Sequence, residues 1–185
     1  MPCDILPVRD ARAILDRADV FGRLAPFDPR WVGSIPLNVH GPDADADIAC
    51  TAGPDLAVFR KALIEAFPGA AVADNEHAGE ASVIARLTLE GMPVEIFGRC
   101  RPVETHESYI HWLAEDRLLN LAEDRFRDDI RAAKAGGLKT EPAFARVLGL
   151  GGDPFAELLK LASPGDDALR TLIRGAGYAT KGTAS

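Results

Sequence analysis

Val83-Ile84-Ala85-Arg86-Leu87-Thr88-Leu89, then Glu90-Gly91, then Met92-Pro93-Val94-Glu95-Ile96-Phe97 is the stretch that decides the fold class. Val83, Ala85, Leu87 and Leu89 alternate with Ile84, Arg86 and Thr88, which is the period of a strand with one buried face. Glu90-Gly91 is a two-residue turn signal, so the two runs form an antiparallel hairpin. Upstream, Asp47-Ile48-Ala49-Cys50 ends a short alternating run that reads as another strand. Pro54-Asp55 opens a helix that carries Leu56, Phe59, Leu63 and Phe67, and Pro68-Gly69 ends it. Further upstream, Ala11, Ile14, Leu15, Ala18 and Phe21 share a helical face that stops before Pro26 and Pro29.

Beyond Pro102 the period becomes helical throughout. The spacing of Leu119, Ala122, Phe126, Ile130 and Ala133 predicts one long helix from about Glu107 to Ala135, closed by Gly136-Gly137. Asp153-Pro154 and Ser163-Pro164 each place a capping side chain before a proline at the first helical position, and Thr140 caps a helix ahead of Glu141 and Pro142. The expected fold class is therefore α/β (α+β), with strands and helices first and helices alone after them. The predicted organisation is a core over residues 1–103, a helical C-terminal lobe over 104–178 packed on it, and a disordered tail over 179–185.

Composition narrows the function classes. The 185 residues are 47% hydrophobic, 26% charged and 6% aromatic, a globular profile that excludes disordered, collagenous and disulfide-scaffold chains. The net charge of −7 argues against capture of nucleic acid or anionic lipid by overall charge, and the scarcity of aromatics disfavours a base-stacking platform. Cys3, Cys50 and Cys100 are odd in number and form no Cys-x-x-Cys pair, so reduced thiols in a cytoplasmic protein are expected. Met1-Pro2-Cys3-Asp4 lacks the positive charge of a signal peptide, and no apolar run is long enough to span a bilayer. Oligomeric state is not legible.

Three features carry chemistry. In Asp45-Ala46-Asp47-Ile48 the two acids project from one face of an extended chain about 7 Å apart. Such a pair repels unless a cation sits between its members, which suits divalent metal coordination; a solvated loop edge has the same pattern. Glu95 lies inside the apolar run Val94-Glu95-Ile96-Phe97. It is either a third carboxylate brought beside the others by strand pairing, with a positive partner or water to offset its burial, or an edge-strand acid facing water. Gly33-Ser34 is a small flexible pair that lets a backbone amide and a hydroxyl approach phosphate oxygens, and it is equally an ordinary turn.

Taken in order, Gly33-Ser34, ten intervening residues, Asp45-x-Asp47 and the later strand acid Glu95 resemble the nucleotidyltransferase superfamily of the DNA polymerase beta type. Further blocks sharpen the likeness. Gly33-Ser34-Ile35-Pro36, Asp45-Ala46-Asp47-Ile48, Val94-Glu95-Ile96-Phe97-Gly98, Pro102-Val103, Tyr109 with His111, Leu138 to Phe144, and Leu148-Gly149-Leu150 with Gly152-Asp153-Pro154-Phe155 resemble a bacterial domain-of-unknown-function family numbered 4269. The match runs from about Phe21 to Leu161.

The resemblance implies a nucleotidyltransferase-like mixed sheet flanked by helices. It implies Asp45 and Asp47 holding Mg²⁺ (or Mn²⁺) against a nucleoside triphosphate, and Glu95 at a second metal, helping to deprotonate an acceptor hydroxyl. Gly33 and Ser34 would meet the β- and γ-phosphates, and Lys139 would add a nucleotide contact. His40, Tyr109, His111 and Arg117 are candidate pocket residues. The acceptor is expected to be a small molecule or a protein rather than a long nucleic acid. A non-catalytic nucleotide-binding or protein-interaction module that keeps the fold is the alternative.

One departure bears on that choice: no Lys or Arg stands between Arg30 and Arg60, so the phosphates lack a local cation in sequence. Either the metals and His40 suffice, or Lys139 and Arg117 supply charge, or the pocket has no transferase chemistry. Nearby look-alikes fail. Asp43-x-Asp45-x-Asp47 has Ile48 and Pro54 where a calcium loop needs glycine and glutamate. His106-Glu107 is followed by His111 five residues after the first histidine instead of four. Gly137-Leu138-Lys139-Thr140 lacks the second phosphate-loop glycine, and Gly149-x-Gly151 lacks the helix-entry glycine of a dinucleotide site. By packing alone, His111 is expected to bond within the helices and Lys139 to be solvated.

Overall fold

The computed structural model describes residues 5–77 and 79–182. The predicted hairpin is present as β4 (Glu80–Leu89) and β5 (Met92–Arg99). Leu89 pairs with Met92 across the turn, and Glu90 and Gly91 both have positive φ, 48° and 88°. That backbone matches the right-handed twist of the flanking strands and fixes the register of every pair beyond it. The helix after Pro54 is also present as Leu56–Ala66, with the Asp55 carboxylate accepting from the Ala57 amide at 2.8 Å.

The chain divides into two compact units. The first comprises the chain to Pro36 and Pro42–Tyr109. It contains α1 (Val8–Arg17), α2 (Val20–Arg23), β1 (Arg30–Val32), β2 (Ala46–Thr51), α3 (the Leu56–Ala66 helix), β3 (Ala71–His77), β4 and β5. The strands form one sheet in the order β1-β2-β5-β4-β3. β2 and β5 run parallel; all other neighbours run antiparallel.

One face of that sheet is apolar. Ile48, Ile96 and Ala85 sit side by side and fully buried, packed with Leu15, Phe59 and Leu63 from the helices. Gly98 of β5 makes room for Phe59: a Cβ there would lie 2.4 Å from the ring. The other face carries the polar residues of the alternation, and the candidate site lies there.

The second unit holds Leu37–Gly41 and the chain from Ile110. Its helices are α4 (Glu107–Leu121, which begins in the first unit), α5 (Asp124–Ala135), α6 (Thr140–Leu148), α7 (Pro154–Lys160) and α8 (Asp166–Gly175). Phe126 is central, meeting the Phe144 and Tyr178 rings edge-on at 6.0 and 5.1 Å. Leu37 and Val39 are buried in this core, and Arg127 and Arg131 donate to the Leu37 and Asn38 carbonyls. The segment after the Gly-Ser turn thus belongs with the helices, which the boundary expected near residue 103 did not include.

Several local expectations are corrected. The single helix predicted over Glu107–Ala135 is two, because at the Ala122-Glu123 break the Glu123 amide donates to Ala179 at 3.0 Å and Lys181 donates to Leu121 at 2.8 Å. The apolar spacing runs through because Leu118, Leu119, Ala122, Phe126 and Ile130 face the same core on both sides of the break. Residues 179–181, expected in a disordered tail, are those that pair at this break. Asp153 caps α7 as predicted, accepting from Ala156 at 3.3 Å. Ser163 does not cap α8, whose N-cap is Gly165, and Thr140 lies inside α6 behind its N-cap Lys139, its hydroxyl accepting from Lys134 Nζ at 2.6 Å. Cys50 is a buried free thiol and Cys100 an exposed one; Cys3 lies outside the described residues. Burial pushes the Cys50 thiol upward, which keeps it unreactive.

Candidate active site

Paired residues in adjacent strands project from the same face of a sheet. Asp47 of β2 is opposite Glu95 of β5, and Glu95 is opposite Arg86 of β4, so acid, acid and base form one row across three strands spaced about 4.8 Å apart. The next row on that face carries Pro93 and Thr88, with Asp45 just ahead of β2. Asp45, Glu95, Arg86, Thr88 and Pro93 line an open cavity of about 280 Å³.

β5 lies between β2 and β4, so Glu95 is not an edge-strand acid. Its side chain is 24% exposed and its carboxylate meets the Arg86 guanidinium at 2.7 Å, while the Arg86 side chain is 62% exposed. That is the positive partner an acid in an apolar run requires. Arg86 is the residue missed by sequence reasoning, and the signal was present: Arg86 stands four residues before Glu90 and Glu95 four residues after Gly91, which a two-residue turn places opposite each other.

Gly33 follows β1 with φ +78°, and a Cβ on it would stand 2.2 Å from Asp47 Oδ2. Two constraints therefore require glycine here: the left-handed backbone, and the close approach of its main chain to the Asp47 carboxylate. Ser34 is partly exposed at the start of the turn that follows. Asp47 is half-buried and Asp45 exposed.

Asp45 and Asp47 are hard oxygen donors of the kind Mg²⁺ accepts, and the missing side chain at Gly33 leaves the space that Asp47 Oδ2 occupies. These two fit a divalent cation. Glu95 is engaged by Arg86, and among the described residues no three His, Cys, Asp or Glu side chains are gathered as a metal cluster.

The remaining candidates lie in or at the edge of the second unit. Tyr109 is the last residue of the first unit. His111 is buried, and its Nε2 is 2.9 Å from the Phe155 carbonyl oxygen, so Nε2 carries the proton; Nδ1 is 3.5 Å from Glu141. The expected bond within the helices is present. Arg117 is engaged within the second unit: its guanidinium donates to Ala162 and Pro164 carbonyls at 2.8 and 2.7 Å and to Asp166 at 2.8 Å, tying α4 to the start of α8 and the loop before it. Lys139 is exposed at the start of α6, and His40 is buried in its own unit.

The sequence profile of a family described as "Domain of unknown function (DUF4269)" matches residues 13–161. The chain belongs to that family. No curated protein matches the DUF4269 chain. Among solved structures it is similar to Cid1, described for its RNA terminal uridylyl transferase activity, at 14% identity and TM-score 0.57 over 76% of this chain and 46% of Cid1. The GLD-2/RNP-8 complex aligns at 10% identity and TM-score 0.52, over 76% of this chain and 56% of that one. A Cid1 poly(U) polymerase mutant bound to MgATP aligns at 12% identity and TM-score 0.52, over 82% and 48%. This chain spans about half the length of these proteins. The likeness is one of fold, and the fold is nucleotidyltransferase-like. No helix among the described residues is long and apolar enough to cross a membrane.

Proposed function

We propose that this chain is a metal-dependent nucleotidyltransferase, moving a nucleotidyl group from a nucleoside triphosphate to an acceptor hydroxyl. The observation that carries the reading is the row in which Asp47 and Glu95 stand side by side on parallel strands, with the Gly33 backbone against Asp47. Asp45 and Asp47 hold Mg²⁺ (or Mn²⁺), with Glu95 at a second position, and the cations supply neutralisation of phosphate charge when bound. Gly33 and Ser34 orient the β- and γ-phosphates through backbone amide and hydroxyl. The acceptor oxygen forms a new bond to the α-phosphorus as the bond to the bridging oxygen breaks. Pyrophosphate leaves with that electron pair, and the acceptor proton passes to Glu95. The chain contributes chiefly position and fixed charge. The acidic net charge of −7 favours a small molecule or a protein side chain as acceptor over a long nucleic acid.

Calorimetric titration of the four nucleoside triphosphates, with and without Mg²⁺, into the wild-type chain and Asp47→Asn tests this. Binding should require the metal and weaken at least about tenfold in the variant. A second reading, a non-catalytic module on the same fold, draws on the Arg86 partner of Glu95. Absence of binding under every condition, or binding indifferent to Asp47, selects it.

A further inference from the structure

We propose that Arg86 is the resident counterion of Glu95, closing the second cation position of the row with an ion pair until a divalent cation displaces the guanidinium. The inference rests on the metal-dependent reading above. Its starting point is electrostatic: on one sheet face, Asp45, Asp47 and Glu95 place three negative charges in two neighbouring rows, and Arg86 is the base in register with Glu95. The sequence around Asp45 and Asp47 offers no Lys or Arg of its own, since residues 31–59 contain neither.

The Arg86 contact is built to be exchangeable. Two same-face rows away, Arg99 is only 12% exposed and its neighbour Arg101 only 26%, and together they are locked onto Glu80 and Glu107 by several bonds, with Arg101 also donating to Thr105. Releasing either would leave buried charge unmatched. Arg86 instead keeps 62% of its side chain in water, so its head group can leave Glu95 and remain solvated. A divalent cation brings twice the charge of a guanidinium and approaches carboxylate oxygen to about 2.1 Å, closer than the ion pair does. The cation therefore wins Glu95 once Asp45 and Asp47 have concentrated it there. Glu95 turned toward Arg86 is also the arrangement in which the three carboxylates stay ungathered. Arg86 is on this account a positioning residue that acts through Glu95.

The test is a Mn²⁺ titration of the full chain without nucleotide, following free Mn²⁺ by electron paramagnetic resonance. Wild type, Arg86→Gln, Arg86→Lys, Asp47→Asn and the double variant Arg86→Gln/Glu95→Gln are compared. Arg86→Gln should bind Mn²⁺ about two- to fivefold more tightly than wild type, the range an exposed ion pair controls, and the gain should shrink with added salt. Arg86→Lys, which keeps the charge, should stay near wild type, and the double variant should lose the gain. Unchanged affinity in Arg86→Gln, or a gain that survives removal of Glu95, overturns the proposal. If Mn²⁺ binding remains sensitive to Asp47→Asn in that case, the metal reading stands without the counterion; if no variant binds Mn²⁺, both fall.

Discussion

The sheet unit and the helical unit each place a glutamate among apolar neighbours, and they stabilise it by opposite means. Glu95, 24% exposed in the middle strand, keeps its charge beside Arg86 at 2.7 Å. Glu115 on α4 is 2% exposed, and its Oε1 has no hydrogen-bond partner. Burial, reinforced by the negative charge of Glu141, pushes Glu115 well above the usual carboxylate range, with Lys134 opposing the shift. His111, one helical turn before it, spends Nε2 on the Phe155 carbonyl and turns Nδ1 toward Glu141. An acid on an open sheet face is held by a partner, whereas burial inside a helical bundle favours an acid's protonated form.

A permanent charge at Glu115 should break this comparison most sharply. Glu115→Arg forces an unmatched charge into the helical core and should cost about 3–5 kcal/mol in denaturant unfolding. Glu115→Gln probes the proton itself. Because the native acid titrates above its unfolded value of 4.5, its contribution to stability is fully present below pH 4.5 and is lost as pH rises through the native titration. Urea melts across pH 4–9 should show wild-type stability falling relative to Glu115→Gln as pH rises. Parallel curves would mean that Glu115 is ionised in the folded chain.

Gly33 marks the next effect in size. Gly33→Ala at φ +78° should cost about 1–2 kcal/mol from the left-handed backbone alone. The added Cβ must also push Asp47 aside, since it would stand 2.2 Å from Oδ2. Mn²⁺ or Mg²⁺-nucleotide affinity should therefore fall by more than the stability loss explains. A variant that unfolds more readily but binds as wild type would separate the turn from the acid.

These residues also show how far the sequence was legible. The hairpin and α3 follow from local signals, a two-residue turn and an Asp cap, and both stand as expected. β3 was missed because its residues Ala71-Val72-Ala73-Asp74-Asn75-Glu76 are mostly exposed on an edge strand, organised by pairing with β4 rather than by an apolar alternation of its own. The break between α4 and α5 was missed because its hydrogen-bond partners, Ala179 and Lys181, arrive from the far end of the chain. At the candidate site, spacing alone put Asp45 and Asp47 on one face of the chain and left a solvated loop edge open beside a metal pair. That Glu95 stands beside Asp47 depends on β2 and β5 pairing in parallel across a long separation, and no local pattern reports that. Arg86 needed only the turn to be counted outward. Glu115 had a weaker signal, an acid on the helical face that also presents His111, Leu118 and Leu119 to the interior.

The smallest effect sharpens the comparison furthest. A double-mutant cycle of Arg86→Gln and Glu95→Gln, read by thermal or denaturant unfolding, should give a coupling of only about 0.2–1 kcal/mol, because the Arg86 end of the pair is in water. Raising the salt should reduce it further, as it would not for a buried pair. The contrast with Glu115 then becomes quantitative. A coupling that small means that the ion pair with Arg86 is not what holds the sheet together. A coupling well above that range would make Arg86–Glu95 a structural bridge of the Arg99–Arg101 kind. It would also remove the ease of displacement on which an exchangeable counterion depends.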